Sequence, residues 1–294
     1  MRDFSGGIIR RLVPREMRGE DLQQGVSNLE SMGTDEDYEM VCSSPVFLLS
    51  AGWRSGSTLL QRLICSDRQR LMWGEPFGDR IPICRLASTI SGITKDDPHL
   101  KYSIQNMSGD LSQQWIANLN PGISTLRQTH MEFVEGLLGK PAKGLGFNEW
   151  GAKWVRLSAH HATYLRWLYP DSIFVFLVRN PLDAYASYKG KDWCAVYPHH
   201  QVRNAWSFFA IWAYLANTFL NHQLDSRSVL LKYEDVTAGG QAIEKLEAVI
   251  GMKIDSRVLS RRVGASGKTK VSWYERRVCK IVAGDVSRRL GYSV

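Results

Sequence analysis

The sequence has no apolar stretch long enough to cross a bilayer. Its longest apolar run is about nine residues, whereas a transmembrane helix needs roughly 20. The N-terminus also lacks the apolar segment of a signal peptide. These absences predict a cytoplasmic protein with no transmembrane segment, although a domain released from a membrane anchor would have the same pattern.

Cysteine is scarce and scattered along the chain. Five cysteines occur in 294 residues, and no two of them form a C-x-x-C pair. This spacing excludes a disulfide-rich scaffold and favours reduced thiols that serve as small apolar side chains. It also predicts no metal site. The five residues are Cys42, Cys65, Cys84, Cys194 and Cys279.

Acidic residues are fewer than basic ones. The chain has 29 Asp and Glu against 37 Lys and Arg, which gives a formal net charge of +8. A basic excess suits an anionic ligand, a nucleic acid or an anionic membrane surface, and it does not choose among them. A charge that serves only solubility is an equally simple interpretation. The hydrophobic content of 44% is enough for a sizeable globular core.

The first 40 residues differ in composition from the rest. They are polar and charged, so we interpret residues 1–40 as a polar N-terminal arm and residues 41–294 as one domain. Ile8, Ile9 and Leu12 would form one turn of an amphipathic helix, which leaves peripheral membrane contact open. A loosely attached arm is the simpler expectation.

Strand and helix patterns alternate from Pro45 onwards. The continuous apolar run 173–178 is typical of a buried parallel strand. Shorter runs at 46–49, 71–73 and 229–231 are further strand candidates, and the segment after Arg203 has helical apolar spacing. The alternation predicts an α/β fold with a central parallel sheet flanked by helices.

The segment PVFLLSAGWRSGSTLL, residues 45–60, predicts a strand, a tight turn and a helix start. Gly52 and Gly56 let the chain approach a ligand closely, and the helix N-terminus directs backbone N–H groups at an anion. A nucleoside-triphosphate loop has lysine directly after its second glycine. Here Ser57 follows Gly56, and Arg54 precedes it as a guanidinium suited to phosphate or sulfate oxygens. A turn of this kind without any ligand is the alternative.

A second polar motif follows the buried strand 173–178. Arg179 stands at the carboxyl end of this strand, where open parallel sheets bind ligands. Pro181 suits the first turn of a helix, and Ser187 lies two turns further on. Arg179 and Ser187 could therefore face one phosphate, although a surface ion pair and an ordinary helix residue explain them as well.

Together the two motifs resemble those of the sulfotransferases, enzymes that use 3′-phosphoadenosine 5′-phosphosulfate (PAPS). The form of the loop is similar to that of the carbohydrate and tyrosylprotein branches. The resemblance implies a P-loop-containing fold, PAPS as sulfate donor with 3′-phosphoadenosine 5′-phosphate (PAP) as product, and no metal. It implies that the cofactor is bound by Trp53, Arg54, Ser55, Gly56, Ser57, Thr58, Arg179, Ser187, Lys268 and Lys270.

Weaker features extend this resemblance to residues 45–294. Tyr233, Glu234 and Asp235 match a family element of mainly structural meaning, and the segment 266–273 matches a loop over the nucleotide.

An acceptor hydroxyl must lose a proton during sulfuryl transfer, so a general base is expected. Glu75 is the candidate, because it follows the second strand. The resemblance supports it, since the tyrosylprotein branch and a bacterial sugar branch carry Gly-Glu at the same place with the glutamate as base. A surface glutamate ahead of a proline is the alternative. Arg54 would stabilise the leaving phosphate. His130 is the rival base by its resemblance to the cytosolic branch, although an ordinary surface or partly buried histidine is the simpler interpretation. Lys153 resembles a strand-end lysine that faces the site in the family, and a structural role is the alternative.

The sequence therefore predicts a PAPS-dependent sulfotransferase that acts on a hydroxyl, with a carbohydrate or glycolipid favoured by the branch resemblance. A peptide tyrosine or a small metabolite remains open as acceptor, and the oligomeric state is not predicted. The alternatives are a P-loop kinase and a basic nucleic-acid-binding protein, although no nucleic acid is expected as partner. The tryptophans that could stack on sugar rings or fill the core are Trp150, Trp154, Trp193 and Trp212.

Overall fold

The structure is a computed structural model that describes residues 4–32, 43–78, 82–191, 202–260 and 269–294. Its strands are β1 (Val46–Ser50), β2 (Arg70–Gly74), β3 (Glu149–Trp154), β4 (Ile173–Val178) and β5 (Ser228–Lys232). Before β3 come helices α1 (Phe4–Leu12), α2 (Arg15–Arg18), α3 (Leu22–Ser31), α4 (Ser57–Ile64), α5 (Pro82–Ser88), α6 (Ile123–Val134) and α7 (Lys140–Gly144). After it come α8 (Ala159–Leu168), α9 (Pro181–Tyr188), α10 (Ala205–Asn221), α11 (Tyr233–Ala238), α12 (Gln241–Ile250), α13 (Arg257–Ser260) and α14 (Trp273–Arg289). Among these helices, none combines the length and hydropathy that a membrane-spanning helix needs.

The five strands form one parallel sheet in the order β2-β3-β1-β4-β5. The predicted α/β fold is therefore confirmed, and each apolar run proposed as a strand is one. Because all strands are parallel, their carboxyl ends meet at a single edge. Polar residues that follow different strands come together there.

No apolar run predicted β3, because its sequence is Glu-Trp-Gly-Ala-Lys-Trp, and only the resemblance of Lys153 to a strand-end lysine pointed to a strand here. It nevertheless lies between β1 and β2 and is buried along most of its length. Gly151 permits this close packing, since a Cβ atom there would lie 2.3 Å from both Met72 Sδ and the Val46 carbonyl oxygen. The neighbouring strands thus require glycine at position 151, and this glycine interrupts the apolar pattern by which β3 would be recognised.

Both faces of the sheet are covered by helices. Alternate residues of β1 divide between the two faces, with Phe47 and Leu49 in the larger core and Val46 and Leu48 in the smaller one. α4 and α12 pack on the smaller core, whereas α8, α9, α10 and α14 pack on the larger. α4 and α9, which follow the adjacent strands β1 and β4, therefore cover opposite faces. This arrangement opens a crevice between the carboxyl ends of β1 and β4.

The N-terminal residues 4–32 do not form the loosely attached arm that their polarity suggests. α3 packs on α8, and α1 packs on α10. Apolar residues of this N-terminal segment are buried in the larger core, namely Val13, Met17, Leu22, Val26 and Leu29. The average composition is polar, but the apolar residues share one side of each helix, and burial of that side fixes the segment. The division at residue 40 stays a prediction.

We expect Leu29→Ala to lower the free energy of unfolding by about 2–5 kcal/mol, the usual cost of a cavity in a packed core. The side chain of Leu29 is only 1% exposed, so its methyl groups would leave a void between α3 and α8. Urea unfolding followed by circular dichroism measures the change. Gln23→Ala, at an exposed position of the same helix, is the control and should change little. Equal effects of the two substitutions would contradict the packing of α3.

Candidate active site

The loop between β1 and α4 is held in a strained backbone conformation. Gly52, Arg54 and Gly56 have φ angles of 81°, 61° and 90°, all in the left-handed region. Ser55 Oγ donates a hydrogen bond to the Gly52 carbonyl oxygen at 3.1 Å, which closes the loop on itself. A turn with left-handed residues collects backbone N–H groups into an anion-binding concavity, and α4 adds its N-terminal N–H groups.

The side chain of Tyr233 packs directly against the backbone of Gly56. A Cβ atom on Gly56 would lie 2.0 Å from Tyr233 Cδ2, so only glycine fits between the loop and this ring. The guanidinium of Arg179 lies over the same ring, with Cζ 4.4 Å from the centroid. Tyr233 thus supports both the loop and the arginine that follows β4.

The two predicted anion-binding motifs meet directly. Arg54 Nε–H donates to Ser187 Oγ at 3.0 Å, and Arg179 Nη1–H donates to the Arg54 carbonyl oxygen at 2.8 Å. Burial and, to a lesser degree, the positive charge of Arg179 lower the pKa of the Arg54 guanidinium. Two cations near each other favour a bound anion, because it would relieve their repulsion.

Neighbouring elements fix Arg179 and the helix that follows it. The Arg179 carbonyl oxygen accepts a hydrogen bond from Trp212 Nε1 at 3.0 Å. Asn180 caps α9, with its Oδ1 accepting from the Leu182 N–H at 3.0 Å, and Pro181 occupies the first turn. The Asn180 N–H donates to Glu234 Oε1 at 3.0 Å, which joins the ends of β4 and β5.

Glu75 lies at the same edge, directly after β2. Its φ angle is 49°, and its N–H donates to the Lys153 carbonyl oxygen at 2.9 Å. Its Oε1 accepts from Lys153 Nζ at 3.1 Å, and its Oε2 lies 4.0 Å from Arg156 Nη2. The structure therefore brings Glu75 and Lys153 together at the end of β3.

Arg156 was not identified from the sequence. It lies just beyond the end of β3 and is buried, with Cζ 5.5 Å from the Trp53 ring centroid. Its Nη2–H also donates to the Gly78 carbonyl oxygen at 2.6 Å. Arg156 thus connects the loops after β1 and β2. An arginine soon after Lys153 would have been a usable signal had β3 been recognised.

His130 lies in α6, and it is 3% exposed. Its Nδ1 is 3.0 Å from Tyr164 Oη and its Nε2 is 3.2 Å from Thr89 Oγ1, so both ring nitrogens have hydrogen-bond partners. Burial lowers the pKa of His130 and favours the neutral ring. These contacts describe a histidine packed in the core.

The remaining predicted cofactor residues occupy different environments. Trp53, Ser55 and Ser57 are buried in the loop and at the start of α4, whereas Thr58 is exposed. Lys270 is exposed in a segment that reaches α9, where the Thr269 N–H donates to the Ala186 carbonyl oxygen at 3.0 Å. Lys268 lies outside the described residues, and its role stays a prediction.

Three of the four tryptophans considered for sugar stacking are core residues. Trp150, Trp154 and Trp212 are buried, and Trp193 lies outside the described residues. Within the described ranges, no group of three or more His, Cys, Asp or Glu side chains is arranged to hold a metal ion.

Gly56→Ala should destabilise the protein more than Gly52→Ala. Both alanines would carry the left-handed strain of about 1–2 kcal/mol. Only the Gly56 substitution would also displace Tyr233, which adds about 1–3 kcal/mol for overpacking. A Cβ atom at Gly52 meets nothing within 4 Å. Urea unfolding of both variants is the measurement, and equal losses would contradict the contact between Gly56 and Tyr233.

Several solved structures resemble the chain. The sulfotransferase domain from the curacin biosynthetic pathway is 14% identical, with a TM-score of 0.48 and coverage of 87% of this chain and 100% of that domain. The sulfotransferase domain of the Synechococcus PCC 7002 olefin synthase is 15% identical, with a TM-score of 0.44 and coverage of 88% and 100%. Mouse sulfotransferase SULT7A1, crystallised with PAP, is 12% identical, with a TM-score of 0.36 and coverage of 92% and 72%.

No curated protein sequence matches the chain. The sequence match to a family model is the stronger finding, because it spans residues 45–255 and hence every strand and both anion-binding motifs. This chain belongs to the sulfotransferase family.

Proposed function

We propose that this protein transfers a sulfuryl group from PAPS to the hydroxyl of a carbohydrate or glycolipid acceptor. The observation that carries the proposal is the contact between the two anion-binding motifs, in which Arg179 and Ser187 hold Arg54 at its carbonyl oxygen and its Nε. A ligand with two separate phosphate groups fits a site with two such motifs. The 5′-phosphosulfate would lie on the loop and the 3′-phosphate near Arg179 and Ser187.

The chemistry of the donors fits this ligand. Backbone N–H groups, hydroxyls and guanidinium groups all donate hydrogen bonds to phosphate and sulfate oxygens. Arg179 Nε is buried without a hydrogen-bond partner, which leaves this guanidinium with unused donor capacity. In nucleoside-triphosphate loops, a lysine and a metal ion held by acidic residues supply positive charge to the phosphates. Here Arg54 would supply that positive charge, so neither is needed.

PAPS supplies the sulfuryl group, and the protein would supply positioning, a base and charge stabilisation. Glu75 would accept the proton of the acceptor hydroxyl while the acceptor oxygen forms its bond to sulfur. The bond from sulfur to the 5′-phosphate oxygen breaks, and its electron pair stays on the phosphate. Arg54 and the loop N–H groups would stabilise that negative charge.

Lys153 and Arg156 would position the base. Lys153 Nζ holds Glu75 Oε1, and the backbone N–H of Glu75 is held by the Lys153 carbonyl oxygen. The carboxylate is therefore fixed at the sheet edge although its residue has a positive φ angle. Its side chain remains 28% exposed, so an acceptor hydroxyl could reach it.

Arg179→Ala should weaken PAP binding by about 1.5–3 kcal/mol, or roughly 10-fold to 150-fold, the usual value of a hydrogen bond to a charged group. The loss of affinity has two sources. The variant lacks a hydrogen-bond donor to the phosphate, and it also lacks the hydrogen bond that orients Arg54. Isothermal titration calorimetry with PAP measures it. Lys245→Ala removes an exposed charge from α12 and is the matched control. Unchanged PAP affinity in Arg179→Ala would remove this residue from the nucleotide site.

Glu75→Gln should lower the rate of sulfate transfer by roughly 10²–10⁴, because the amide retains an acceptor for Lys153 but cannot take a proton. PAP affinity should change little. The measurement is single-turnover transfer from labelled PAPS in the presence of an accepted sugar or glycolipid.

His130→Asn is the comparison for Glu75→Gln, since asparagine retains hydrogen bonding toward Tyr164 or Thr89, and urea unfolding checks that the variant is folded. It should keep most of the transfer rate. A folded but inactive His130→Asn beside a normal Glu75→Gln would assign the base to His130 and point to the cytosolic type of acceptor.

A further inference from the structure

One face of α14 exposes aromatic, aliphatic and basic side chains together. The opposite face is buried in the core that α14 shares with α10, through residues such as Val278 and Val282. Trp273, Tyr274 and Ile281 are 75%, 52% and 43% exposed. Helical spacing places Arg277, Lys280 and Ile281 on the same side as Trp273. We name this surface the basic aromatic face and define it by Trp273, Tyr274, Arg276, Arg277, Lys280 and Ile281.

The charge of this face is positive. Arg276, Arg277 and Lys280 are exposed, and no acidic side chain in the described part of the chain forms an ion pair with them. The exposed Asp285 further along the helix pairs with Arg288 at 3.2 Å. α1, which packs against α14, adds the exposed Arg11, whereas the exposed Arg10 is paired with Glu20 at 3.7 Å.

We propose that the basic aromatic face binds the surface of an anionic lipid bilayer. Tryptophan and tyrosine prefer the headgroup region, and lysine and arginine are attracted to anionic headgroups. Ile281 favours a bilayer over a nucleic acid, because an aliphatic side chain gains from insertion among acyl chains but cannot stack on bases. Tyr274 is held in place, with its Oη accepting a hydrogen bond from Trp206 Nε1 at 3.0 Å.

The face adjoins the candidate active site through α9. Glu275, in the first turn of α14, accepts hydrogen bonds from Tyr185 Oη at 3.2 Å and from Lys189 Nζ at 2.7 Å. The preceding segment reaches Ala186, the neighbour of Ser187, through the Thr269 N–H. If the proposed function holds, a protein docked by this face would reach hydroxyls carried on lipids, which selects glycolipids among its acceptors.

The test is vesicle cosedimentation of the full chain without PAPS. Vesicles of phosphatidylcholine alone are compared with vesicles that contain about one third phosphatidylglycerol, at about 0.1 M and about 1 M salt. We expect binding to the anionic vesicles at low salt and its loss at high salt, where the Debye length falls from about 10 Å to about 3 Å. Absence of binding under both conditions would overturn the proposal.

Two variants locate the contact. Arg277→Glu with Lys280→Glu should weaken binding at least 20-fold, since each basic side chain near an anionic surface contributes roughly five-fold. Trp273→Ala with Ile281→Ala should weaken binding without changing the net charge. The control, Lys143→Glu with Lys245→Glu, makes the same charge change at exposed positions of α7 and α12. An equal loss in this control would mean that net charge alone drives binding, and the face would be wrong.

Two further outcomes are distinguished from these. Tighter binding to a single-stranded oligonucleotide, with loss of vesicle binding in its presence, would make the face a nucleic-acid surface and overturn the lipid proposal. PAP titration of the wild-type chain is run separately. Failure to bind PAP would refute the proposed function while leaving vesicle binding measurable, so the two proposals can fail independently.

Discussion

The site depends on holding two guanidinium groups close together. Arg54 and Arg179 come from loops after adjacent strands, and the hydrogen bond from Arg179 to the Arg54 carbonyl oxygen brings them side by side. The guanidinium of Arg179 lies over the face of the Tyr233 ring, which offsets part of the repulsion between the two guanidinium groups. The contact of the same ring with Gly56 fixes the position of the loop. The fold therefore maintains an excess of positive charge where the sheet opens, which an anion would neutralise.

A second group of charges at the same edge is balanced within the protein. Glu75 faces Lys153 and Arg156, and Arg156 in turn lies over the Trp53 ring. The carboxylate is thus placed beside the anion-binding loop without adding an unpaired negative charge to it. This arrangement would separate the two tasks of the proposed reaction, because one group of residues would bind the sulfate donor and the other would accept a proton.

The sequence predicted the strands that consist of apolar residues and the two motifs at their ends. No apolar run revealed β3, since packing against Met72 and Val46 requires glycine in that strand, and Arg156 was not identified. Composition also misjudged the N-terminal helices, because the few apolar residues that fix them, such as Leu29, are separated by polar ones. The contact of Arg54 with Ser187 depends on how strands pair over long distances, which local patterns do not contain.

The central position of β1 has a consequence for how the protein folds. β1 pairs with β3 and β4, which lie more than a hundred residues further along the chain. The hydrogen bonds that join Arg54 to Arg179 and to Ser187 span 125 and 133 residues. Contacts of such high sequence separation close large loops and form slowly, so the predicted anion-binding edge forms only once the sheet is assembled. A ligand of this edge would accordingly stabilise the protein by slowing its unfolding and would leave its folding rate nearly unchanged.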